Sequence, residues 1–200
     1  GLFERFPCDA IFAMHNMPGF AQGQLLFRSG PTMASSDYAT VTLHGVGGHG
    51  AMPHKATDPL VAAASIVMAL QTIVSRNVDP MQPAVVTVGA LHAGEANNVI
   101  PASARLEISL RALDPQARRD MERRIRSLID LQAQSYGVRA EIVWRPGYAV
   151  LVNDAQQTAR ALAVAQKHFS AQQVAQAPML TGSEDFAFML ERVPGCYLFI

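Results

Sequence analysis

Charge, aromatic residues and cysteine are all scarce in this 200-residue sequence, and each scarcity excludes something. Sixteen basic residues balance sixteen acidic ones, so no net field draws the chain to nucleic acid or to an anionic membrane. Cysteine is limited to Cys8 and Cys196, near opposite ends. Two are too few for a disulfide scaffold and predict a reduced, cytoplasmic protein with no Cys8–Cys196 bridge. The longest apolar run, PLVAAASIVMAL, is too short to span a bilayer and gives way to Gln71 and Thr72, so no membrane partner is expected. No signal peptide, repeat or low-complexity segment is visible. The chain opens GLFERF and stops on the strand-like CYLFI, which reads as a piece cut from a longer protein. What is present is a core-forming composition, half apolar, with room for one or two domains.

The clearest patterning lies between residues 37 and 146. Asp37 to Val46 alternates, with Ala39, Val41 and Leu43 on one face and Tyr38, Thr40, Thr42 and His44 on the other, as in a half-buried strand. Asp58-Pro59 then supplies an N-cap and an N1 proline for a helix to about Arg76, striped by Ile66, Leu70, Ile73 and Val74. AVVTVGALH and ARLEISLRAL read as strands joined through the turn AGEANNVIPAS. Asp114-Pro115 opens a second helix striped by Ala117, Met121, Ile125 and Leu128, with Gly137 as its C′ residue, and VRAEIVW closes the unit. The order β-α-β-β-α-β is that of a ferredoxin-like sandwich. The flanks, 1–35 and 147–200, are too short to be domains alone, so they are expected to form one other domain that the sandwich interrupts. In the first flank, Ala10–Met14 looks like a buried strand and residues 21–34 look like loop. In the second, Asp154 caps a helix to about Phe169, and Ser183 caps a short helix in TGSEDFAFML.

Candidate chemistry concentrates in HGVGGHGAMPH, which holds His44, His49 and His54 among four glycines. Zinc ligands on a helix favour spacings of three or four, and the spacing of five here fits neither a helix face nor one side of a strand. Two readings stand: a flexible polar loop, or glycines that let the backbone and His49 approach a ligand or another chain. His15 follows a strand at a loop start, where imidazoles often serve as ligands, although a single histidine is more often a structural one. Asn97 and Asn98 suit a turn. Arg111 lies on the polar face of its strand, and Ser183-Glu184-Asp185 reads as a helix cap followed by acids in the first turn. The arginines of the second helix, Arg118 to Arg126, alternate with acids and read as a solvated face.

Four segments in order, MHNMPG, GVGGHGAMPHKATDP, GEANNVIPASARLEISLRALD and LTGSEDFAFML, resemble the dinuclear metal-dependent amidohydrolases related to hippurate hydrolase, N-acyl-amino-acid hydrolases and the plant auxin-conjugate hydrolases. The resemblance covers essentially the whole chain. It implies an α/β fold: a ferredoxin-like βαββαβ lid and dimerisation domain, residues 36–146, inserted in a partial metallopeptidase catalytic domain, residues 1–35 and 147–200. By motif, it implies that His15 is a metal ligand. It implies that His49 is a catalytic group reaching into the partner's site to stabilise the oxyanion. Asn98 and Arg111 are implied to hold the substrate carboxylate, and Gly182 and Ser183 to line the cleft. The implied cofactor is a pair of divalent metals, with zinc, manganese, cobalt or nickel all acceptable. The implied partners are an N-acyl amino acid substrate and a second copy of the chain. The family's other metal ligands and its paired glutamates have no match here, so the 200 residues are expected neither to hold the metal pair tightly nor to turn over substrate. A ferredoxin-like ligand-binding or dimerisation module without catalysis is the alternative. RNA binding is disfavoured, because AVVTVGALH and ARLEISLRAL carry no aromatic residue for stacking.

Overall fold

A computed structural model describes all 200 residues. The chain divides into two compact units, Gly1–Ser35 with Tyr148–Ile200, and Ser36–Gly147. The first arm supplies α1 (Leu2–Arg5), β1 (Ile11–His15), β2 (Leu25–Phe27) and β3 (Gly30–Met33). The insert carries β4 (Ser35–His44), β5 (Gly48–His49), α2 (Pro59–Asn77), β6 (Ala84–Ala93), β7 (Val99–Ile100), β8 (Ser103–Ala112), α3 (Pro115–Ser135) and β9 (Arg139–Pro146). The second arm adds β10 (Leu151–Asn153), α4 (Ala155–His168), β11 (Val174–Gln176), α5 (Phe186–Leu190) and β12 (Gly195–Phe199).

In the insert the sheet order is β6-β8-β4-β9, the arrangement of a ferredoxin-like sandwich. Alternation sets its faces. Ala39, Val41 and Leu43 of β4 and Leu106, Ile108 and Leu110 of β8 are buried under α2 and α3. Both helices start where local chemistry dictates: Asp58 accepts the N–H groups of Leu60 and Val61, and Asp114 accepts that of Ala117. On α2, Ala62, Ala63, Ile66, Leu70 and Ile73 are buried, so a helix with the length and hydropathy of a membrane span serves as a core element. On α3 the buried line is Met121, Ile125, Ile129 and Ala133; Ala117 and Leu128 of the expected stripe lie at its margin. Burying each large side chain contributes about 1.5–3 kcal/mol. Arg118 departs from the expected solvated face: its guanidinium forks onto the buried carboxylate of Asp37, with Nε–Oδ2 at 2.7 Å and Nη2–Oδ1 at 2.6 Å.

In the other unit the sheet order is β1-β12-β2-β11, with β1 parallel to β12 from Ile11↔Gly195 to His15↔Phe199. Gly195 is obligatory there, since a Cβ would collide with the carbonyl oxygen of Ile11. The expected buried strand is an edge strand, paired only with β12, and on one of its faces Phe12 is 48% and Met14 64% exposed. Residues 21–34, expected as loop, contain β2 and β3; their pairing partners β10, β11 and β12 are remote in sequence, beyond the reach of local patterning. The short helix begins at Phe186 after Asp185 and has no side-chain cap, so Ser183 is not its cap. Cys8 and Cys196 are both unpaired.

Candidate functional site

In the insert, β5 pairs with β7 in a small antiparallel ladder, His49 opposite Val99 and Gly48 opposite Ile100. The Gly50 N–H donates to the Asn98 carbonyl at 2.8 Å, so two of the expected site residues, His49 and Asn98, are brought together. The glycines make that ladder sterically feasible. A Cβ at Gly47 would stand 3.0 Å from the Ile100 oxygen, and one at Gly50 3.0 Å from the Asn98 oxygen. At Gly45 it would stand 2.5 Å from the Thr57 oxygen. The glycines thus have a close approach within the chain itself, to the backbone of residues 98–102 and Thr57. His49 Nδ1 accepts the Ala51 N–H at 3.1 Å, which puts the proton of the neutral ring on Nε2.

Arg111 lies on the sheet face away from the helices. Its Nη2 donates to the Tyr38 hydroxyl at 3.2 Å, and its guanidinium carbon is 5.5 Å from the Tyr38 ring centroid. Arg145, opposite Tyr38 on β9, donates to Thr40 Oγ1 at 3.1 Å. His44 ends β4, with Nε2 3.4 Å from Glu141 Oε2. His54 sits in a single 3₁₀ turn, Pro53–Lys55.

In the other unit, His15 is the last residue of β1 and its side chain is 52% exposed. Gly182 is held beside β3: its carbonyl accepts the Ala34 N–H at 2.9 Å, and a Cβ on it would be 3.3 Å from Met33 Cε. Ser183 follows it into the turn, and the next residue is the one sequence reasoning missed. Glu184 Oε2 lies 3.8 Å from His15 Nδ1 and accepts the Tyr197 hydroxyl at 2.6 Å. Burial disfavours the charged carboxylate. Hydrogen bonds from Tyr197, Asp185 and the Phe186 N–H, with the positive potential of His15, outweigh burial and hold Glu184 below its ordinary range. Burial first, then the adjacent Glu184 carboxylate, pushes the Tyr197 phenol well above its ordinary value, so it remains a donor. No three His, Cys, Asp or Glu side chains in the chain gather closely enough to hold a metal ion. His15 offers one imidazole, and a stable site needs about four ligands, so the residues present do not make up a metal centre.

An α/β unit interrupted by a ferredoxin-like domain defines the class of protein. The sequence profile of the M20 peptidase dimerisation domain matches residues 34–137, and the chain belongs to that family. It is 39% identical to hippurate hydrolase of Campylobacter jejuni, over all of this chain and 52% of the relative. It is 36% identical to an N-acetyl-L-cysteine deacetylase of Bacillus subtilis, over 96% of this chain and 45% of the relative. Among solved structures, a dinuclear metal binding peptidase of the M20 family from B. subtilis superposes with a TM-score of 0.78 at 31% identity, over 96% of this chain and 47% of that one. An aminobenzoyl-glutamate utilization protein from Klebsiella pneumoniae shares the fold, with a TM-score of 0.77 at 22% identity over 96% of this chain and 49% of that one. The chain thus spans about half the length of the relatives it matches.

Proposed function

We propose that these residues are the lid and part of the catalytic unit of an amidohydrolase that cleaves N-acyl amino acids and works as a homodimer through the lid. Hippurate and N-acetylcysteine, the compounds in the relatives' names, share an N-acyl amide beside a free carboxylate. The chain carries a group for each end of such a molecule. Arg111, a planar fork, suits the carboxylate, with Asn98 as a second donor and Gly182 and Ser183 lining the cleft. His49 suits the carbonyl, acting from the neighbouring subunit. One observation carries that role: with Nδ1 engaged by the Ala51 N–H, His49 offers Nε2–H from a laddered, exposed position. A fixed donor of this kind stabilises the oxyanion that forms as the amide is attacked. His15 would contribute one ligand to the metal pair. The other ligands and the general base would come from segments outside these 200 residues. Such metals, when bound, supply activated water.

In the complete protein, His49→Ala is expected to lower kcat for N-acyl amino acids by about 10²-fold or more. A change in KM alone would make His49 a binding residue. Mixed dimers of a His49→Ala subunit with a His15→Ala subunit should regain activity, because one composite site keeps both groups. No recovery would return His49 to its own subunit.

A further inference from the structure

We propose that Glu184 and Tyr197 are positioning residues that fix the tautomer of His15, holding its proton on Nδ1 and leaving the Nε2 lone pair free to bind. The support begins at Asn153, a buried side chain on β10. Its Nδ2 donates to the carbonyls of Tyr197 and Arg28, each at 2.8 Å, and its Oδ1 accepts the Tyr197 N–H at 2.7 Å. One amide therefore pins the backbone of residue 197 on both sides. The Tyr197 ring is held between Phe186 and Phe199, each 5.7 Å away between centroids. Its hydroxyl fixes Glu184 Oε2 at 2.6 Å, while Glu184 Oε1 accepts the Phe186 N–H at 3.4 Å. The strand register puts His15 opposite Phe199, on the sheet face it shares with Tyr197. The fixed oxygen stands 3.8 Å from His15 Nδ1, an electrostatic contact within ion-pair range and longer than a hydrogen bond.

An ionised carboxylate only accepts, so the ring nitrogen facing it is the one that carries hydrogen. The hydrogen bond at one imidazole nitrogen determines what the other can do, and ligating histidines are commonly oriented by a carboxylate in this way. His15 is taken here as the ligand proposed above, yet its tautomer can be read with no metal present.

The test is ¹⁵N NMR of the histidine-labelled 200-residue chain, at a pH where the imidazoles are neutral, with the His15 signals assigned by their loss in His15→Gln. The Nδ1–H form should predominate. Glu184→Ala should shift the tautomer ratio severalfold, about 3- to 10-fold, toward Nε2–H, because the carboxylate favours the N–H nearest to it electrostatically. Tyr197→Phe should shift it less, in the same direction. A predominant Nε2–H form in the unaltered chain, or an unchanged ratio in a folded Glu184→Ala chain, overturns the proposal. If Tyr197→Phe does not fold, Glu184→Ala decides, since Glu184 belongs to no hydrophobic cluster. Whether His15 also ligates is read separately, from zinc uptake by the complete protein with and without His15→Ala.

Discussion

Removing the Arg118 fork tests what holds the insert closed where the chain enters and leaves it. Asp37 stands one residue after the boundary at Ser36, and Gly147 is the boundary on the return. The Gly147 N–H donates to the Ser36 carbonyl at 2.8 Å and to Asp37 Oδ1 at 3.2 Å, while Arg118 of α3 grips both Asp37 oxygens. The Asp37 side chain is 3% exposed and that of Arg118 is 24%. Arg118→Leu keeps an apolar stem but strands a buried carboxylate on a single amide. Breaking a buried pair from one side costs about 3–5 kcal/mol. Water can enter where the quarter-exposed guanidinium stood, so about 2–4 kcal/mol is expected. Asp37→Asn leaves the charge on the partner that can turn to solvent and should cost less, about 1–3 kcal/mol. Trp144 is the only tryptophan and lies on β9, so its fluorescence reports the unfolding of the insert. With a slope of about 2 kcal/mol per molar urea, Arg118→Leu should lower the midpoint by about 1–2 M. The double variant should lose less than the sum of the single ones. A midpoint shift below about 0.3 M, or strict additivity, would refute the account.

Gly45→Ala places a methyl 2.5 Å from the Thr57 oxygen and 2.9 Å from Pro59 Cδ, so a loss of about 1–3 kcal/mol is expected in the same urea assay. Gly89→Ala, whose Cβ would meet only the Glu107 oxygen at 4.0 Å, is the control and should stay near zero. Equilibrium dialysis of the 200-residue chain against micromolar zinc should show far less than one ion retained per chain, since one imidazole is no site; stoichiometric uptake would contradict this. In the complete protein, Arg111→Lys should raise KM for N-acyl amino acids by about 10-fold or more, replacing a fork by a point charge. The matching C-terminal amides should show no such change, and equal effects on acid and amide would remove Arg111 from the carboxylate.

What could be read from the sequence was what neighbouring residues decide among themselves. Asp58-Pro59 and Asp114-Pro115 start α2 and α3 through hydrogen bonds spanning two or three residues, and the alternation in β4 sorts its own faces. The β3–β10 pairing brings Met33 to Leu151, and no window of a dozen residues contains both. Glu184 was hidden for the same reason. Its sequence neighbours make it look like an acid at a helix start, while the partners that define its environment, Tyr197 and His15, arrive from β12 and β1. Arg118 looked solvated because its sequence neighbours alternate in charge, yet Asp37 stands 81 residues away.

The glycine-rich loop shows how a correct signal can carry a different cause. Four glycines in six residues were read as room for something to come close, and something does: the backbone of residues 98–102, with Thr57. That difference matters for His49. A flexible loop would have to be ordered each time substrate bound, at a cost of roughly 1–2 kcal/mol per residue fixed. Here the ladder to β7 and the Ala51 N–H on Nδ1 are made when the insert folds, so the ordering cost falls on folding instead. A donor held in place beforehand is what oxyanion stabilisation requires. The glycines therefore serve the proposed chemistry by letting His49 be held, not by letting it move.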